Sequence, residues 1–368
     1  VAVLLGTDLI NKISQFAPAS LALPGDSIGL QVGSPCNEVD GVLFTLDVTI
    51  QVLQEAVSLG ANWILAHHPL LYRPFEQVDT ESPVGQMIKF MLLENLNLYV
   101  AHSNLDITTG GVNDVLASSL GLVACKPLIS TFSEPSYKLV VFLPKDHYEP
   151  VFQNLAAAGA GLIGRYSHCA FAMEGQGSFK PLEGSNPLLG HVGVLEQATE
   201  LRLEMIVPKR CRKKVIETLL ATHPYEEVAY DLYQLNSSLD KYGLGRIGKL
   251  NKTMAMPEFI EYVKKVFGVC SLRSVGSLQR DISKVAILGG SGAKYLRKAQ
   301  EMGADLFITG DIGYHAAQEA LALNFLLLDP GHHIEYLVLK SWREQINLPD
   351  NVVSYISKVK WDPFNWHL

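Results

Sequence analysis

Two distant stretches of this chain read almost alike: Gly60-Ala61-Asn62-Trp63-Ile64-Leu65 and Gly303-Ala304-Asp305-Leu306-Phe307-Ile308. Each is a glycine-led turn running into a short apolar run, the way a helix hands over to a buried parallel strand. The same rhythm surrounds both. Val42 to Leu46 reads as a strand ending at Asp47, Thr49 as the cap of a helix reaching about Leu59, and Trp63 to Ala66 and Leu98 to Ala101 as further strands. Downstream, Val285 to Leu288, Leu306 to Ile308 and Phe325 to Leu328 alternate with helical spacing in the same way. Strands alternating with helices predict an α/β fold with a parallel sheet covered on both faces. Repetition of the pattern predicts two related α/β halves, arranged about a pseudo-twofold axis. Ahead of them, Thr7 is expected to cap a first helix carrying Leu9, Ile10, Ile13 and Phe16 at helical spacing.

The middle of the chain carries a different text. Tyr137 to Leu143 reads as a strand, Glu149 to Ala157 as a helix, Leu201 to Val207 as a half-exposed strand, Arg210 to Leu220 as a helix and Val228 to Leu235 as a strand. Two strand–helix–strand passages in series are the ferredoxin-like pattern. Gly159, Gly161, Gly164, Gly175, Gly177, Gly184 and Gly190 suggest long loops between the two passages. The expected organisation is a core made of residues 1–131 and 241–368, with residues 132–240 as a separate inserted domain. Gly243-Leu244-Gly245-Arg246-Ile247-Gly248 would be the return joint.

Composition narrows the partners. Thirty basic against 37 acidic side chains give a net charge of −7, which argues against a broad nucleic-acid surface. No apolar run reaches membrane-spanning length, and the N-terminus lacks a basic flank before an apolar core, so neither an anchor nor a signal peptide is expected. The five cysteines are scattered without a Cys-x-x-Cys pair and read as reduced, mostly buried thiols of a cytoplasmic protein.

The chemistry gathers where strands end. In parallel α/β sheets, ligands collect beyond the carboxyl ends of the strands, and His67-His68, Asp106, Asp311 and His332 all follow strands. If His332 opens a helix after Gly331, Glu335 shares its face; an N-terminal cap with an acidic first turn reads equally well from these residues alone. Adjacent histidines on an ideal strand point to opposite faces. His67 and His68 can therefore face one cleft only where the chain has left β geometry, as Pro69 favours; a hydrogen-bonded core turn is the alternative. Imidazoles and carboxylates without thiolate suit zinc, iron, manganese, cobalt or nickel. His67, His68, Asp106, His332 and Glu335 make two open coordination shells if Asp106 and Glu335 each bridge two ions, and water activated at such a pair of ions is the equipment of a hydrolase. His102, Asp311 and His315 are candidate catalytic proton carriers or orienting groups. His333 is expected to point elsewhere. Gly289-Gly290-Ser291-Gly292 reads first as a tight strand-to-helix turn and second as an anion site.

Taken together, Asp26-Ser27-Ile28-Gly29-Leu30-Gln31-Val32-Gly33, Ala66-His67-His68-Pro69-Leu70, Ala101-His102-Ser103-Asn104-Leu105-Asp106, Thr309-Gly310-Asp311 with His315, and Gly331-His332 with Glu335 resemble the motif series of the Nif-three-like family. Its bacterial members are often labelled GTP cyclohydrolase 1 type 2 homologues. The middle segment is similar to the PII/CutA-like domain of the longer members, through Gly164 to Cys169, Phe179 to Gly184 and His223 to Asp231. The resemblance implies two divalent metal ions per subunit held by His67, His68, Asp106, His332 and Glu335. It also implies a homohexameric ring, and a nucleotide or purine-like substrate. A metal-holding or ligand-sensing module without turnover is the competing expectation, since PII-like folds commonly sense small molecules.

Overall fold

The computed structural model describes residues 3–74, 76–236 and 241–365. Its contacts divide into two compact units, residues 1–132 with 242–368 and residues 133–241. The domain boundary expected at residue 240 falls on residues 237–240, which lie outside the described residues.

The larger unit contains two sheets built to one plan. In the first, the strands lie in the order Gly29–Val32, Asn97–Val100, Trp63–Ala66, Gly41–Thr45, Val353–Ile356. In the second the order is Arg273–Val275, Leu326–Asp329, Leu306–Gly310, Asp281–Ser291, Lys241–Ala255, Val123–Ser133. Each sheet has three parallel strands that follow one another along the chain, and an antiparallel edge strand from just upstream pairs with the third of them; in the first sheet Val353–Ile356 adds a fourth parallel strand. A helix precedes that edge strand in both halves, Gly6–Phe16 and Met256–Phe267. The repeat legible in the sequence is thus present strand for strand. Strands Gly41–Thr45, Trp63–Ala66, Leu306–Gly310 and Leu326–Asp329 are mainly apolar and buried along their length, as strands sandwiched between helices must be.

Local chemistry sets the helix starts. Thr49 caps its helix as expected, its hydroxyl accepting the Val52 N–H at 3.3 Å. Thr7 does not: the first helix already begins at Gly6, and the Asp8 carboxylate accepts the Leu5 N–H at 3.2 Å instead. The helix thus starts two residues earlier than a Thr7 cap would place it. Trp63 lies against Gly6 so closely that a Cβ there would stand 2.2 Å from the indole. Phe44, Trp63, Phe259, Phe267, Ile308 and Trp342 belong to a single buried cluster drawn from both halves. Trp342 meets Phe44 edge-on, with ring centroids 5.4 Å apart.

The smaller unit is one antiparallel sheet in the order Ala170–Phe179, Glu196–Pro208, Ser136–Pro144, Tyr230–Leu235, with helices Tyr148–Ala157 and Arg212–Thr222. Counted along the chain, its spatial order is fourth, first, third, second, the ferredoxin-like arrangement. Gly159, Gly161, Gly164, Gly184 and Gly190 lie in loops as expected, but Gly175 and Gly177 fall within strand Ala170–Phe179. Glycine weakens a strand on average, but an unbroken register against residues 196–205 carries this one. At Gly177 the Glu200 side chain crosses so near that a Cβ would lie 2.2 Å from its Oε2.

The cysteines also depart from expectation. Cys36, Cys125 and Cys270 are exposed and Cys169 and Cys211 half-buried, all as free thiols; the usual burial of cysteine is an average, and these positions fall on turns and strand edges. Among the described residues, no helix is long and apolar enough to cross a membrane.

Candidate metal centre

Backbone geometry turns both adjacent histidines toward one point. Just past strand Trp63–Ala66, the His67 and His68 N–H groups still bond the Thr45 and Leu46 carbonyls, at 3.1 and 2.9 Å. The two rings then lie tilted at 41° with centroids 4.9 Å apart. His67 Nδ1 donates to the Ala101 carbonyl at 2.9 Å, which fixes the tautomer and leaves Nε2 with its lone pair. His68 Nδ1 donates to Asp47 Oδ1 at 2.7 Å, and its Nε2 lies 3.1 Å from Glu335 Oε2.

The opposing groups come from the second half. The chain after Gly331 opens as a 3₁₀ turn, His332–Leu337, before α-helix Val338–Ile346. Three residues per turn eclipse positions i and i+3, so His332 Nε2 lies 3.2 Å from Glu335 Oε2. The expected shared face is realised by a tighter helix than an α-helix. Asp106 sits in the short helix Ser103–Ile107. It and Glu335 each occupy the first turn after the third parallel strand of their half.

Glu335 Oε2 is the common centre, 3.1 Å from His68 Nε2, 3.2 Å from His332 Nε2 and 3.7 Å from His67 Nε2. Three groupings of potential ligand atoms lie within 4.8 Å of one another: His68, His332 and Glu335; His67, Asp106 and Glu335; and His67, His68 and His102. Glu335 belongs to two of these, Asp106 to one.

Charge around this centre is unevenly matched. Burial alone would raise Glu335, but the His332, His67 and His68 imidazoles around it hold it well below the carboxylate range. Burial opposes charge on His68 and His332; hydrogen bonds to Asp47 and Glu335 nonetheless push His68 up to about 10, and Glu335 and Asp311 push His332 up to about 9. Asp106 goes the other way. Burial, reinforced by the Glu335 carboxylate and only partly relieved by His67, raises it to about 6. His67 Nε2 and Asp106 Oδ1 are both buried without a hydrogen-bond partner, 3.6 Å apart. A lone pair facing a carboxylate oxygen in a dry site is costly unless a cation lies between them. Ligand bonds of about 2.0–2.2 Å put neighbouring ligand atoms roughly 3–3.6 Å apart, so the residues fit a divalent ion.

Among the other candidates, His102 lies at the cluster: its ring is 5.3 Å from that of His67, and its Nδ1 donates to Asp26 Oδ1 at 2.8 Å. Burial opposes its charge, but Asp26 and Asp106 raise its pKa. Asp311, with a left-handed φ of 54°, accepts from His332 Nδ1 at 2.6 Å. Such backbone strain in a non-glycine residue is typical of functional positions. His315 is exposed on helix Tyr314–Ala322, its ring against Tyr314, and is not among the grouped residues. His333 turns toward Asp362 at 3.9 Å. In the glycine turn, the Gly289 and Gly292 N–H groups donate to Asn113 Oδ1 and Thr309 Oγ1. Those donors hold the turn closed, and the turn itself leaves room for Glu335, whose Oε1 would meet a Cβ at Gly289 or Gly290 at 2.9 Å. The residues that sequence reasoning passed over are Asp47 and Asp26, which orient His68 and His102. Asp47 was visible as a carboxylate at the end of a strand, on the same edge as the histidines.

Comparison with known proteins places these features in a family. The model of Duf34/NIF3 (NGG1p interacting factor 3) matches residues 4–363. A Halalkalibacterium halodurans protein named "GTP cyclohydrolase 1 type 2 homolog" is 43% identical over 366 residues, 98% of each chain. A Bacillus subtilis protein of the same name is 41% identical, again over 98% of each chain. A crystal structure of a Bacillus cereus protein related to NIF3 superposes with a TM-score of 0.91 at 41% identity, covering 100% of both chains. With fold and sequence matched from end to end, the chain belongs to the Duf34/NIF3 family.

Proposed function

We propose that this protein is a metal-dependent hydrolase with a dinuclear centre, acting on a nucleotide or purine-like substrate. The observation that carries the reading is the buried, unpartnered pair His67 Nε2 and Asp106 Oδ1 beside Glu335; the name shared by the relatives supports the substrate class. His67, Asp106 and Glu335 would hold one ion and His68, His332 and Glu335 the other, with zinc, iron, manganese, cobalt or nickel suiting the donors. Divalent ions bound there supply Lewis-acid activation of water and substrate. The chain's own residues do the rest. Asp47 and Asp311 orient His68 and His332 through Nδ1. His102, steadied by Asp26, is placed to hold a proton beside the centre; exposed His315 would take part only toward a substrate reaching its helix. Elemental analysis tests the centre: two divalent ions per wild-type subunit, and loss of metal in His67→Ala and Glu335→Ala. Metal-loaded protein that turns over no GTP or other nucleotide with any of these metals would reject the hydrolase.

The family resemblance also supports a homohexamer in the cytoplasm, with a PII/CutA-like smaller unit. A second reading, a metal-holding or ligand-sensing module without turnover, is favoured by a cavity of about 530 Å³ within residues 133–241, lined in part by Phe142, Phe179, Pro181, Glu200 and Tyr225. Small-molecule binding abolished by Tyr225→Ala, in a protein without nucleotide turnover, would select it.

A further inference from the structure

We propose that Arg273 anchors an anionic arm of the molecule that reaches the metal centre, so that the ligand joins a flat ring to a phosphate or carboxylate. This rests on the metal-dependent reading above. A cavity of about 610 Å³ is lined by His68 and His332 together with Asp47, Arg273, Trp361 and Phe364. Arg273 begins edge strand Arg273–Val275, which runs antiparallel to Leu326–Asp329, and pairs in register with Asp329, the last residue of that strand. It therefore sits at the carboxyl ends of the strands, where α/β sheets take up ligands.

The guanidinium is positioned and yet not used up. Asp329 is 3% exposed and accepts the Ile312 and Gly331 N–H groups at 3.1 and 3.0 Å, which locks the carboxylate to the backbone. That carboxylate holds Arg273 through Nη2. A guanidinium carries five N–H donors, and the Arg273 side chain remains 59% exposed. Among the described residues lining the cavity, it alone bears a permanent positive charge. The four acids lining the cavity are already engaged, Asp47 by His68, Asp311 by His332, Asp329 by Arg273 itself and Asp362 by His333 at 3.9 Å.

The repeat shows that this charge is no by-product of the fold. In the first half, Gly29 pairs with Val100 where the second half pairs Arg273 with Asp329. That half instead sets Asp26 against His102 and Ser103. The matching position of the first half carries no charge, so the guanidinium is particular to the second half. Trp361, stacked on Tyr336 at 4.7 Å, and Phe364 supply apolar wall for a ring.

Equilibrium binding of GTP and of uncharged guanosine to wild-type, Arg273→Gln and Arg273→Lys protein, with metal content measured on each sample, tests the assignment. Arg273→Gln is expected to weaken GTP about tenfold to a hundredfold, the range for a lost charged hydrogen bond. Guanosine affinity should stay unchanged, and Arg273→Lys should restore part of the GTP affinity. GTP bound equally by wild-type and Arg273→Gln, or no more tightly than guanosine by wild-type, overturns the anchor; so does an equal loss for both ligands, which marks general damage to the cavity. Wild-type protein without metal that still discriminates through Arg273 would sink the metal centre and leave the anchor standing.

Discussion

At the scale of single residues, the centre is a contest between protons and metal. His68 and His332 are held at about 10 and about 9 by neighbouring carboxylates, so in metal-free protein near neutral pH both carry protons on nitrogens that a metal needs. Ion uptake must displace those protons, and affinity should rise with pH by about one decade per pH unit for each proton released. Zinc affinity measured by chelator competition between about pH 6 and 8 checks this; a flat profile would mean that the histidines are not ligands. Asp26 gives a second readout. Burial would raise it, but hydrogen bonds from His102 and Ser103 pull it from 3.8 to about 2. A depressed carboxylate contributes stability that is present in full above 3.8 and lost as pH falls through about 2. The contribution is roughly 2 kcal/mol. Asp26→Asn should remove it, flattening acid unfolding of the metal-free protein across that window.

At the scale of elements, the site depends on turns with no room for side chains. Gly290 has a φ of 64°, and a Cβ there would lie 2.9 Å from Glu335 Oε1. Gly290→Ala should cost about 1 kcal/mol from backbone conformation alone, and more through displacement of Glu335. Metal content is therefore expected to fall more than melting temperature. Equal losses would reduce the turn to a structural role. The 3₁₀ turn His332–Leu337 matters for the same reason, since its tight period brings His332 and Glu335 together. Helical spacing in the sequence allowed those two residues a shared face, but it could not distinguish a 3₁₀ turn from an α-helix, because both periods put residues three apart side by side.

At the scale of the molecule, the main buried cluster of the larger unit draws on both halves. Trp342 is fully buried against Phe44, and Trp342→Ala should cost about 3–5 kcal/mol. A shared core predicts that both halves of that unit melt together; separate transitions for the two sheets would contradict it. Assembly is a question of the same scale, and sedimentation equilibrium should return six protomers if the ring implied by the family resemblance forms. Much of this architecture could be read from the chain. The parallel strands are short, apolar and bounded by glycine turns, and the repeated segments around Trp63 and Leu306 announced two halves with histidines and carboxylates at the strand ends. Local patterning determines such elements because burial on two faces leaves few alternatives. Other features lay beyond it. Strand Ala170–Phe179 depends on a partner distant in sequence, and the close packing of Gly6 against Trp63 joins residues far apart in the chain. Tertiary structure alone decided that Asp47 and Asp26 steady the histidines and that His67 Nε2 and Asp106 Oδ1 face each other without partners. Those are distances between residues that sequence separates, and folding sets them through packing that no local pattern encodes.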